Sequence, residues 1–202
     1  MAGGSIRARS NRSGSVVLSI TELEILREVV IPHFLKYPLL TQKRADFELF
    51  AKAVDLISAK KHLTADGLRE IVSLRFGKGT KIPVELLEAF PDVIPVSRPF
   101  VEPRDFTPHW LAGFTDAEGC FDLEISKSIT SIGFAVTLII RLVQHARDSK
   151  LIHSMISYLG CGTFWLGASN EGAVLNVRRL SDISNIIIPF FNKYPLHGKK
   201  KN

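Results

Sequence analysis

Residues 107–121 read Thr-Pro-His-Trp-Leu-Ala-Gly-Phe-Thr-Asp-Ala-Glu-Gly-Cys-Phe and constrain this chain more than any other segment. They predict a helix over about residues 108–118. Thr107 is a good N-cap, Pro108 suits the first helical position, and Trp110, Leu111 and Phe114 form an apolar stripe. Gly119 is expected to stop the helix in a left-handed conformation. Asp116 and Glu118 therefore sit at the C-terminal end, where the helix dipole disfavours negative charge. Gly113 and Ala117, four residues apart, strip one side of bulk, so a second helix can approach closely. Carboxylates at the floor of such a pair are costly unless protonated, hydrogen-bonded or neutralised, and a hard divalent cation is the natural neutraliser.

Leu111-Ala112-Gly113-Phe114-Thr115-Asp116-Ala117-Glu118-Gly119 resembles the signature of the LAGLIDADG homing endonucleases. Tyr37-Pro38-Leu39-Leu40-Thr41-Gln42-Lys43, Lys61-His62-Leu63-Thr64, Gln144-His145 and Tyr158-Leu159-Gly160-Cys161-Gly162 extend the resemblance over residues 16–198, toward the family's single-chain, two-repeat fungal mitochondrial branch. The resemblance implies an α+β fold built on an αββαββα unit with an antiparallel sheet. It also implies Mg²⁺-dependent cleavage of long double-stranded DNA sites, with the metal held by Glu118. Without it, a lone acid at a helix end reads as a solvated carboxylate.

Composition is compatible with DNA but does not demand it. The formal charge is +6, yet Arg7, Arg9 and Arg12 supply three charges and Lys199, Lys200 and Lys201 three more, so residues 15–198 are formally neutral. Affinity for DNA must then come from one basic face and not from bulk charge. A hydrophobic content of 46% supports a real core, and no apolar run reaches membrane-span length. Cys120 and Cys161 cannot make a disulfide framework, which fits a reducing compartment, and the scattered histidines show no zinc spacing. Residues 1–15, rich in Ser and Arg, read as a disordered or transit-like tail.

Residues 16–39 lie on residues 173–196 without a gap, an offset of 157, and Lys36-Tyr37-Pro38-Leu39 returns as Lys193-Tyr194-Pro195-Leu196. Such spacing marks duplicated units. The resulting organisation is a C-terminal part of a first unit at 16–91, an extended linker at 92–105 carrying Pro95, Pro99 and Pro103, a second unit at 106–198, and a basic tail at 199–202. In the first unit, apolar spacing predicts a helix through Leu23, Leu26, Val30 and Phe34, another through Phe47–Ile57, a third behind Thr64, and a short helix at 84–90. In the second, Phe121, Leu123 and Ile125 alternate with Asp122, Glu124 and Ser126 as a half-buried strand. A hairpin partner follows at 134–143, then a helix at 148–159, a second hairpin, and a helix at 181–194.

The family resemblance assigns Glu118 as metal ligand, the Gly119 carbonyl as a second metal oxygen, and Gln144 as a residue that orients water, although Gln144 equally reads as an ordinary strand-end polar residue. Gly113, Asp116 and Ala117 are expected in the helix-pair interface. Ser126, Lys127, Thr137, Arg141, Asn176, Arg178 and Arg179 are the outward residues suited to phosphates and base edges, while Asp122 and Glu124 weigh against a strongly basic groove. Cutting both strands takes two acids and this chain supplies one, so a homodimer or a missing first half is expected to complete the site. Three functions remain open: a mitochondrial DNA endonuclease, a maturase binding group I intron RNA, and an inactive fragment.

Overall fold

The computed structural model describes residues 3–8, 16–77, 82–102, 104–167 and 170–198. The chain divides into two compact units, Met1–Val101 and Glu102–Asn202.

The first unit opens on an antiparallel pair, β1 (Ser5–Ala8) and β2 (Val16–Ser19), in the register Ile6 to Leu18 and Arg7 to Val17. Part of the stretch read as a disordered tail is thus a strand, for which Val16–Ser19 provides the ladder. Then come α1 (Leu23–Ile25), a π-helical turn at Leu26–Val30 and α2 (Ile31–Lys36). The sequence predicted one uninterrupted helix here. Pro32 has no N–H to give the carbonyl four residues back and its ring would strike it, and the wider turn, in which the Ile31 N–H reaches the Leu26 carbonyl, relieves both.

α3 (Lys43–Ser58) and α4 (Ala65–Gly77) pack through Leu49, Leu56 and Leu74, with Ala53, Ile71 and Val96 around them. Thr64 starts α4 as expected, its hydroxyl accepting from the Gly67 N–H at 3.1 Å. A short α5 (Val84–Ala89) precedes the proline-rich stretch. That stretch is tied down: Val96 N–H donates to the Ser73 carbonyl, Arg98 pairs with Asp46 at 2.6 Å, and Gln42 Nε2 donates to the Val101 carbonyl at 2.8 Å. The linker expected at 92–105 is therefore part of the first unit as far as Val101, which is buried.

The second unit has the expected αββαββα order. α6 (Pro108–Glu118) is capped by Thr107, whose hydroxyl accepts from the Trp110 N–H at 3.2 Å. The hairpin β3 (Gly119–Lys127) and β4 (Phe134–His145) follows, then α7 (Ser149–Leu159), halted by Gly160 at φ 69°. β5 (Thr163–Leu166) and β6 (Gly172–Val177) complete an antiparallel sheet in the order β3-β4-β6-β5. After β6 come α8 (Leu180–Asp182), a π turn at Ile183–Ile187 and α9 (Ile188–Lys193). This reproduces the α1-to-α2 segment residue for residue at the offset of 157, down to the backbone of Tyr37 (φ −120°, ψ 80°) and Tyr194 (φ −123°, ψ 80°).

Two local expectations change. Gly119 is extended (φ −75°, ψ 156°) and is no left-handed stop, because the chain passes straight from α6 into β3. Glycine is needed for proximity: a Cβ would lie 2.5 Å from the Thr115 carbonyl oxygen. The apolar side of β3 is also not half-buried. Phe121, Leu123 and Ile125 remain 42, 58 and 62% exposed, because β3 is an edge strand and the helices of this unit cover the sheet mainly over β4 and β6.

Candidate active site and sheet face

Leu111, Ala112 and Thr115 turn α6 toward the sheet, where Leu111 and Thr115 meet Ile140, Leu142, Leu175 and Val177. The opposite side is open. Gly113 and Ala117 are exposed, a Cβ on Gly113 would meet nothing within 4 Å, and Trp110 stacks on Phe114 at 4.8 Å alongside. The small-residue stripe thus has room for a second helix.

Glu118 ends the helix with its side chain in solvent, and among the described residues its carboxylate forms no ion pair or hydrogen bond. It is available to a cation. The donor chemistry fits Mg²⁺ only in part: one carboxylate, with the adjoining Gly119 carbonyl, leaves most positions to water, phosphate and a second acid. Among the described residues no group of three or more His, Cys, Asp or Glu could hold a metal ion. Gly119 pairs with Leu142, so the register brings Gln144, two residues further along β4, to the same end of the sheet as Glu118, on the helix-covered side that carries Leu142 and opposite the side of Arg141.

Asp116 is engaged away from the open stripe. Its Oδ2 accepts from the His197 N–H at 3.0 Å and the Gly198 N–H at 2.6 Å, so it fastens the chain after α9 to the motif helix. Gly198 allows the approach, since a Cβ there would sit 2.7 Å from Oδ1. Sequence spacing placed Asp116 in the helix pair because partners so distant along the chain leave no local signal. Asp116→Ala is expected to hand two exposed N–H groups back to water and cost about 0.5–1.5 kcal/mol, read by urea unfolding monitored by circular dichroism.

Strand pairing sorts the remaining candidates. Cys120 opposes Arg141, Glu124 opposes Thr137, Ser126 opposes Ala135, and Asn176 lies between Arg141 and Thr163. Ser126, Thr137, Arg141 and Asn176 therefore share one face, and Arg178, beyond the end of β6, joins it through an ion pair with Glu124 at 3.0 Å. Cys120 and Thr163, not singled out from sequence, lie there too, and period-two alternation was the signal that would have found them. Lys127 opposes Phe134 on the apolar side, and Arg179 precedes α8, so the structure does not gather these two with the rest. At the centre of the face Arg141 Nε and Asn176 Oδ1 are buried without a hydrogen-bond partner among the described residues. Unmatched polar atoms of both kinds suit a ligand that donates and accepts.

A family model described as LAGLIDADG endonuclease matches residues 1–54 and 111–202. Probable intron-encoded endonuclease 3 of Neurospora crassa is 37% identical over 199 residues, which are 98% of this chain and 37% of that protein. The I-LtrWI LAGLIDADG homing endonuclease bound to target DNA superposes with a TM-score of 0.92 at 37% identity, over 97% of this chain and 66% of that one. I-SmaMI bound to uncleaved DNA target with calcium ions gives a TM-score of 0.90 at 38% identity, covering 98% and 67%. Bound to cleaved DNA, I-SmaMI gives 0.89 at 38% identity, covering 98% and 66%. The chain spans less than half the length of the curated relatives it matches.

Proposed function

The chain belongs to the LAGLIDADG endonuclease family, and on that footing we propose that it binds double-stranded DNA and supplies half of a Mg²⁺-dependent phosphodiesterase centre. One observation carries the reading: among the described residues the Glu118 carboxylate forms no ion pair or hydrogen bond, and it ends a helix on which a Cβ at Gly113 would meet nothing within 4 Å. Glu118 and the Gly119 carbonyl would hold the cation, which when bound polarises the scissile phosphate and acidifies a coordinated water. Gln144, at the same end of the sheet but on the side opposite Arg141, would reach the attacking water only around the strand end. A second carboxylate comes from a helix docked on Gly113 and Ala117, donated by a second copy or by a first LAGLIDADG segment. DNA-bound relatives and the two unmatched polar atoms support the sheet face as the DNA surface, with Arg141, Asn176, Thr137 and Ser126 reaching phosphates and base edges. The Arg178–Glu124 pair reduces the face's net charge, so recognition leans on hydrogen bonding more than on bulk attraction. The intron-encoded relatives support a mitochondrial setting.

Cys120 offers a direct test. It is exposed opposite Arg141, whereas Cys161 is buried and desolvation raises its thiol pKa. Iodoacetamide at pH 8 is expected to label Cys120 first, and a duplex spanning the intron insertion site to slow that labelling about tenfold or more. Labelling indifferent to DNA would remove the face from the interface.

A maturase reading, in which group I intron RNA occupies the same face, is favoured by the one acidic helix motif, at Glu118, in this sequence, since RNA binding needs no composite metal site. Splicing assistance that survives Glu118→Ala would select it.

A further inference from the structure

We propose that Val143 and Trp165 form an apolar reader on the open face of the sheet, one that takes the C5-methyl group of a pyrimidine in the major groove close to the cut. This inference rests on the DNA reading of that face and adds two residues to it.

Strand pairing builds the reader. Val143 on β4 opposes Val174 on β6, and Val174 opposes Trp165 on β5, so the three form one row across the sheet. The row lies on the side away from the helices. Leu142 and Leu175, the neighbours of Val143 and Val174, meet Leu111 and Thr115 of α6, and Phe164 lies 4.2 Å from the His153 ring of α7. Side chains alternate along a strand, so Val143, Val174 and Trp165 point the other way, with Arg141, Asn176 and Thr163 as the adjacent row of the same face. Val143 stands one residue past the partner of Gly119, which puts its row at the Glu118 end of the sheet.

An open face behind a packed one ordinarily carries polar residues, and the row of Arg141, Asn176 and Thr163 does. The next row does not. Val143 and Trp165 are each 46% exposed and flank Val174, which is 3% exposed, so the row presents one continuous apolar surface. Gly172, on the same face, keeps one flank clear: a Cβ there would lie 3.8 Å from Val143 Cγ1. Scattered apolar side chains on a surface need no explanation, but a contiguous row beside the unmatched Arg141 Nε and Asn176 Oδ1 fits a ligand that is apolar at one point and polar next to it. The floor of the major groove has that character. It presents hydrogen-bonding atoms on every base and one kind of apolar group, the thymine methyl. Bases inside a duplex are stacked on each other, so edge contact is what the groove leaves to a valine and an indole. Three strand spacings of ~4.8 Å separate Trp165 from the line of β3, and at about 3.4 Å per base pair the contacted base lies within about five base pairs of the cut.

The test uses the whole chain and a duplex spanning the intron insertion site, with Ca²⁺ in place of Mg²⁺, and follows affinity by fluorescence anisotropy as each thymine is replaced in turn by deoxyuridine. Loss of the methyl at one or two positions within that window is expected to weaken binding by the wild-type chain about fourfold each. Where the contacted base is cytosine, 5-methylcytosine is expected to tighten binding by the same factor. Val143→Ser and Trp165→Ser are expected to bind the parent duplex more weakly and to lose the response to the methyl, which a merely structural loss would leave in place. Binding of the parent duplex with no response to deoxyuridine or 5-methylcytosine in the window overturns the reader and leaves the DNA reading standing. A methyl response that both variants retain belongs to another group and also overturns it. No binding of the parent duplex overturns the DNA reading and the reader together.

Discussion

Glu118→Gln is expected to lower Mg²⁺-supported DNA cleavage by about 10²–10³-fold or more while leaving the fold and DNA binding in place. Glutamine keeps the length of the side chain and removes the charge that the proposed function assigns to holding the cation. Because Glu118 is exposed and among the described residues accepts no hydrogen bond, nothing in the scaffold depends on its carboxylate, and the melting temperature should not move. DNA affinity measured by gel shift should hold or rise, since an anion near a phosphate is lost. The decisive measurement is single-turnover cleavage of a duplex spanning the insertion site, wild type beside variant. Equal cutting by the two would take Glu118 out of the chemistry, and cutting by neither, with DNA retained by both, would mark this chain as a binding module awaiting a second acid.

The elements around Glu118 were legible because their signals are local. Thr107, Pro108 and the 110–111–114 stripe define α6 from within its own length, and the repeat of Lys36-Tyr37-Pro38-Leu39 announced the duplication without any structure. The misses depend on neighbours remote in sequence or on competing backbone constraints. Gly119 carries the composition of a left-handed cap, yet its role is set by how closely Thr115 approaches. The π turns at Leu26–Val30 and Ile183–Ile187 have helical spacing throughout, and only the following proline hints that the ladder must widen. Alternation in β3 told correctly which residues share a face, and strand pairing confirms that grouping. It could not tell whether the apolar face would be covered, because burial is decided by which helix crosses it.

Gly113→Leu separates folding from assembly more sharply than any change at the carboxylate. In this chain a Cβ at Gly113 would meet nothing within 4 Å, and leucine is a better helix former than glycine by under about 1 kcal/mol, so the isolated chain should be as stable as wild type or slightly more so. The function should nevertheless disappear. A leucine on the stripe shared with Ala117 would hold a partner helix several ångströms off, and the second acid would no longer reach the cation beside Glu118. Cleavage is expected to fall as far as with Glu118→Gln, about 10²-fold or more, and any self-association seen by sedimentation equilibrium should weaken in parallel. Single-strand nicking that persists would mean that Glu118 works without a helix partner. Full double-strand cutting by this variant would mean that the open stripe is not where the second acid arrives, and the composite site would have to be sought elsewhere on the unit.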